Sequence, residues 1–210
     1  MNAAGKRNWV ELAATILLAV AAVATAWSSY QATRWNGEQA KTASRVNKTR
    51  IDAARAADRT NALTQVDIAT FIQWVDAYAQ EEAELASFYR TRFRDEFKPA
   101  FAAWIATRPL QTAGAPPTPF ALPDYKLASA AEAAKLDAQA EVLAATVRRD
   151  IQRASNYVLA VVLFAVALFF AGMSTKLSAP GLRTAMLTVG WVVFLGAAVW
   201  VATSPMSVGI

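Results

Sequence analysis

Apolar residues in this chain fall into three long uncharged runs, with a stretch of helical periodicity between the first and the second. Between Glu11 and Arg34 lie 22 uncharged residues, between Arg153 and Lys176 another 22, and no charged side chain follows Arg183. A helix needs about 20 mostly apolar residues to cross the hydrocarbon core of a bilayer, so each run predicts a membrane-spanning helix. The first opens at Trp9 as WVELAATILLAVAAVATAW, with no Pro before Pro99 and only Gly37 as a glycine in between. Nothing stops this helix at the membrane surface, and it is expected to continue to about Arg59.

Steps of four and three along that helix give Glu11, Thr15, Leu18, Ala22, Thr25, Ser29, Ala32, Asn36, Gln39, Ala43, Val46, Arg50, Ala53 and Ala57, a seam of mostly small and polar side chains. About half a turn away, Arg34, Glu38, Lys41, Arg45, Lys48, Asp52, Arg55 and Arg59 form a charged stripe suited to water or an acidic partner. Asp58 to Asn61 is the expected break, because cap and turn formers stand there between two different patterns. Beyond it the apolar positions become large: Ile68, Ile72, Val75, Ala79, Ala86, Tyr89, Phe93, Phe97 and Trp104 recur at helical spacing, with Phe71, Trp74, Tyr78, Leu85 and Phe88 beside them. So wide an aromatic face requires a cover.

Prolines then end helical structure across residues 109–124, where Pro116 and Pro119 make a PxxP match that reads as a stiff connector. Ser129-Ala-Ala-Glu132 is a capping box, and it opens a helix with the seam Ala133, Leu136, Ala140, Leu143, Val147, Ile151, Ala154 and Val158. No breaker separates this helix from the second span. The expected architecture is therefore all-α: an integral membrane protein with three transmembrane helices and a long extramembrane helical hairpin. Its parts are a tail and first span over 1–28, an extramembrane helical domain over 29–156, and a transmembrane hairpin over 157–210. Pro180-Gly181 turns that last hairpin, and Ala167, Ala171, Gly172, Gly190, Gly196 and Ala197 allow its helices a close approach.

Lys6, Arg7, the apolar run and Ala24-Thr25-Ala26 also satisfy the pattern of a cleavable signal peptide, although the run is at the long end for a signal core. Trp9 and Trp27 stand 18 residues apart, about 27 Å along a helix, which suits the two interfaces of a retained anchor. The positive-inside rule, weighted toward the short connection holding Lys176 and Arg183, puts the N-terminus in the cytoplasm and the helical domain outside. Arg34, Lys41, Arg45, Arg148, Arg149 and Arg153 argue the other way.

Composition narrows the chemistry. The 210 residues include no Cys and no His, which removes thiol and imidazole catalysis, disulfides and most transition-metal sites. Glu81, Glu82 and Glu84, and Asp95 with Glu96, are the acidic clusters, and helix-face pairing accounts for them. No nucleophile and base stand in a recognisable context, and no phosphate-binding Gly loop occurs. No enzyme activity, cofactor or metal is expected. A net charge of +5 without a block of like charges gives nucleic-acid binding little support. Arg90, Arg92 and Arg94, interleaved with Tyr89, Phe93 and Phe97, are candidate contacts for anionic lipid; a buried aromatic face with solvated arginines explains the same pattern.

The runs AWSSYQATRWNGEQA, FYRTRFRDEFKPAFAAWIAT, APPTPFALPDY and YVLAVVLFAVALFFAGMS resemble a group of bacterial inner-membrane proteins of unassigned activity, built as one span, a helical loop and two spans. The resemblance implies the same architecture and a bacterial inner-membrane location, and supplies no site. Two functional expectations follow. One is a non-enzymatic homo-oligomer acting as scaffold, adaptor or sensor, with the lipid bilayer and an unspecified protein as partners. The other is a channel or transport-accessory protein in which Glu11, Thr15, Leu18, Ala22, Thr25 and Ser29 line a pathway.

Overall fold

A computed structural model describes residues 3–109 and 111–207, with side chains from Trp9 onward. The charges of Lys6 and Arg7, used above for orientation, lie outside the described side chains. Helix α1 spans Ala3–Ala79, α2 Ala83–Arg92, α3 Lys98–Ala106, α4 Ala128–Lys176 and α5 Pro180–Thr203, with one 3₁₀ turn at Pro119–Ala121. No strand occurs among the described residues. Three of these helices, α1, α4 and α5, are long and apolar enough to cross a membrane.

By contacts the chain divides into two compact units. One comprises Met1–Ser44 with Leu143–Ile210, the other Arg45–Val142. Residues 29–44 and 143–156, assigned by pattern to the extramembrane domain, thus pack with the spans.

The first unit is held together by small residues. Ala14, Leu17 and Ala21 of α1 meet Ala160, Phe164, Ala167 and Ala171 of α4 and Leu187, Phe194 and Ala197 of α5. Such residues let backbones approach, which is how helices associate where no water drives them together. Gly190 sits at the tightest point: a Cβ there would meet Leu17 Cδ2 at 3.2 Å and the Ala167 carbonyl oxygen at 3.4 Å. Gly172 and Gly196, expected to serve the same purpose, have nothing within 4 Å of such a Cβ. Val158, Val162, Phe169, Val192 and Val199 are exposed, an outer surface whose natural solvent is lipid. Beyond this core, Ala32 and Trp35 pack on Ala154 and Tyr157. The buried Gln31 accepts a hydrogen bond from the Ser207 backbone N–H at 3.0 Å, and the Tyr157 hydroxyl donates to the Pro205 carbonyl at 3.2 Å.

The second unit departs from expectation in three places. Asp58–Asn61 does not break α1, which is helical throughout. The flanks are Ala-rich, and the Thr60 hydroxyl is satisfied within 2.9 Å by the Ala56 carbonyl, so these residues remain in a helix their neighbours favour. The helix ends instead at Ala79 through a Schellman motif. Glu82 N–H reaches the Ala77 carbonyl at 3.0 Å and Glu81 N–H the Tyr78 carbonyl at 3.2 Å, with Glu81 at φ 60° in the left-handed position usually given to Gly.

The aromatic stretch is consequently three helices, the last turn region of α1 with α2 and α3, folded on one another. Phe71, Trp74, Phe93, Phe97, Phe101 and Trp104 form a single cluster with Phe120 and Tyr125 against it. Trp74 meets Phe101 edge-on at 4.8 Å and Phe97 stacks on Phe120 at 5.1 Å, geometries that add to simple burial. Of the row read from Ile68 to Trp104, Ile68, Ile72 and Val75 are on the exposed side, whereas Ala86, Phe93, Phe97 and Trp104 are buried in this cluster. The proline segment is packed as well, since Trp104 Nε1 donates to the Pro116 carbonyl at 2.8 Å.

The third departure is the capping box. Ala130 and Ala131 N–H groups both reach the Leu127 carbonyl, so α4 begins before Ser129. The Ser129 hydroxyl lies 2.7 Å from that of Thr60, and the first helical N–H, that of Ala128, is bonded at 2.9 Å by the Glu96 carboxylate.

Candidate functional site

Within this chain the seam of the first span lies on a flank of the helix, beside the face packed on α4 and α5. Ala14, Leu17, Ala21 and Ser28 are buried, while Glu11, Thr15, Ala22 and Ser29 are exposed and Leu18 and Thr25 half-buried. A strict four-three spacing drifts about 20° per heptad around a helix of 3.6 residues per turn. The row therefore starts on the flank at Glu11 and reaches the buried face only at Ala32. Its polarity is partly consumed locally. Thr15 donates to the Glu11 carbonyl at 2.9 Å and Thr25 to the Ala21 carbonyl at 2.7 Å, the usual way a helix absorbs hydroxyls. The Glu11 carboxylate faces Arg183 of α5 at 3.3 Å.

In the second unit, the three arginines proposed as lipid contacts separate. Arg94 turns inward. One guanidinium nitrogen donates to Asp67 Oδ2 at 2.8 Å, and another pairs with the Glu96 carboxylate. The Tyr125 hydroxyl also reaches Asp67 Oδ2, at 3.0 Å. Asp67 is fully buried and its Oδ1 has no hydrogen-bond partner. Burial pushes the Asp67 carboxyl up from its ordinary range, against the pull of Tyr125 and Arg94. Glu96 is held below the usual carboxylate range, first by the Ala128 N–H and then by Arg94. This clamp ties α1, residues 94–96 and the start of α4. Its geometry is structural, because every charged group but one carboxylate oxygen has a partner within the unit.

Arg92 lies flat on Phe88, its guanidinium carbon 3.5 Å from the ring centre. It belongs to the outer face of α2, where Glu84, Leu85, Phe88, Thr91 and Arg92 are all exposed. Arg90 points the other way, into a groove of about 530 Å³ among α1, α2 and α3. The groove has Trp74, Phe101 and Trp104 as its apolar floor, and Arg108 shares its lining with Arg90. Arg108 follows the end of α3 at φ 49°, a second non-glycine residue in the left-handed region. Arg108 and Asp67 escaped the sequence reading. Asp67 carried a signal, standing one helical turn before Phe71 on the row that proves to be buried; Arg108 carried none beyond its place before Pro109.

Among the described residues no group of three or more metal-ligating side chains occurs. No protein-family model, no curated protein and no solved structure matches this chain.

Proposed function

We propose that this chain is a non-enzymatic, membrane-anchored scaffold, of adaptor or sensor type, that works as a homo-oligomer. In this reading α1, α4 and α5 hold it in the bilayer. Residues 45–142 lie outside the hydrocarbon, since their many charges would each be costly within it.

The observation that carries the proposal is the outer face of α2. Glu84 lies four residues before Phe88 and Arg92 four after it, with Leu85 and Thr91 between, so the face is acidic at one end, apolar in the middle and basic at the other. Two copies crossing antiparallel on a two-fold axis at Phe88 bring Glu84 of each opposite Arg92 of the other. Phe88 meets Phe88, and Leu85 meets Thr91. That is the self-complementarity a two-fold interface requires. Leu85 and Phe88 are 39% and 47% exposed, and burying them supplies the attraction while the end charges set the register. A face this short falls well below the roughly 1,200 Å² of a stable interface. Confinement to one bilayer raises the effective concentration and compensates for part of that shortfall.

A channel reading draws on the flank from Glu11 to Ser29. The Thr15 and Thr25 protons already go to the helix backbone and Glu11 faces Arg183, which favours the scaffold.

The test is a charge swap read by native mass spectrometry in mild detergent. Wild type should be dimeric or larger, Glu84→Arg and Arg92→Glu should each be monomeric, and the double variant should regain the wild-type state. A monomeric wild type, or a double variant no better than the singles, would sink the proposal.

A further inference from the structure

The opposite face of α2 supports a separate inference, which stands whether or not the chain self-associates. We infer that the groove between α1, α2 and α3 is a binding site for a free single-chain amphiphile with an anionic head, of the carboxylate class.

Three observations converge on it. First, the volume of about 530 Å³ falls within the range of pockets that hold a small ligand, and suits one hydrocarbon chain rather than a two-chain lipid. Its floor is the outer side of the aromatic cluster, Trp74, Phe101 and Trp104, with the small Ala86 leaving the space open. Second, the charged residues of the lining are Arg90 and Arg108, and none is acidic. Both are exposed, and neither is drawn into the clamp that takes Arg94. A guanidinium matches a carboxylate through paired N–H donors, so an anionic head is the complement of this rim. Third, Arg108 occupies the left-handed position after α3, at φ 49°, where Gly would be relaxed. Arginine at such a site brings conformational strain of the kind that gathers at ligand sites. Here the strained residue is a cation on the same lining as Arg90.

Recognition follows from these parts. The chain of the amphiphile lies on the indole and phenyl surfaces, displacing water, and its head remains at the rim between the two guanidinium groups. An uncharged analogue keeps the first interaction and loses the second. A bilayer phospholipid shares the anionic head, and the experiment separates that source.

The full chain in phosphatidylcholine nanodiscs is titrated calorimetrically with decanoate and with decanol, empty discs providing the partition background. Decanoate should saturate one site above background, about tenfold or more tighter than decanol, as expected when a charge-assisted hydrogen bond is lost. The double variant Arg90→Gln/Arg108→Gln should lose that preference, and Ala83→Phe, which fills the groove wall, should abolish uptake. Uptake no greater than in empty discs, equal affinity for decanol, or an unaltered double variant would overturn the site. Loss of decanoate binding when phosphatidylglycerol is mixed into the discs would overturn the assignment to a free amphiphile in favour of a bilayer lipid.

Discussion

The two units of this protein solve the packing problem with opposite materials. In the unit of the spans the core positions with no exposure are mostly alanine, and a Cβ on Gly190 would stand only 3.2 Å from a Leu17 methyl. In residues 45–142 the core cluster holds six large aromatic side chains, and the same unit contains the buried Asp67 paired with Arg94. Helices in lipid gain little by burying large apolar groups, because lipid already solvates them, and so they gain by closeness. A unit in water gains with every apolar area it removes from solvent. The contrast in side-chain size is what the proposed placement of one unit in lipid and the other in water would produce, and it can be broken from either side.

The largest effect is expected at the clamp. Arg94→Gln leaves the fully buried Asp67 facing no cation, a change that destabilises by about 3–5 kcal/mol. The near-ultraviolet circular dichroism of the aromatic cluster should collapse at a lower temperature, while the far-ultraviolet helix signal of the spans persists. A common shift of both signals would show that the units do not differ in the way argued.

A smaller effect is expected in the spans. Gly190→Leu forces apart helices already in contact and should lower the thermal midpoint in detergent by an amount equivalent to about 1–3 kcal/mol. Gly196→Leu, where nothing lies within 4 Å, should change it little. Equal effects at both positions would remove the argument from closeness.

Next comes pH. Asp67 is raised in the fold, so its contribution is complete below the ordinary Asp value and is lost as pH rises through its folded pKa; Glu96 is lowered, so its contribution is present above the ordinary Glu value and is lost as pH falls through its folded pKa. Residues 45–142 thus lose stability on both sides; Asp95, held down by Lys98, shares the acid limb, so Glu96→Gln should make that limb of a midpoint-against-pH curve shallower. An acid limb unchanged in the variant would assign it elsewhere. The smallest effect is a gain: Arg108→Gly relaxes a left-handed residue and should stabilise by about 0.5–1 kcal/mol in thermal unfolding.

Much of the fold could be read from charge and hydropathy, because a run such as that between Arg153 and Lys176 has one low-energy outcome in a bilayer. What escaped was set by contacts distant in sequence. Helix α1 passes Asp58–Asn61 because its neighbours favour the helix, and stops at Ala79 through Glu81, a residue type that gives no warning of a left-handed turn. The α4 cap comes from Glu96, 32 residues away from Ala128, while the local Ser129 goes to Thr60. The groove was half legible. Arg90 stood in an aromatic stretch, but its counterpart Arg108 is brought there only by α3, and Arg94 was drawn away by an aspartate whose burial no local pattern required.

The buried Gln31 bears on the order of events during synthesis. Its acceptor oxygen is made early, whereas the N–H that satisfies it belongs to Ser207, 176 residues later. Until that residue has left the ribosome, the first helix holds an amide whose preferred partner does not exist, and water or a transient neighbour must fill the place. Tyr157 waits likewise for the carbonyl of Pro205. The spans can be inserted in chain order, but closure of their bundle is timed by the segment after α5, so a part made late is the latch for one made early.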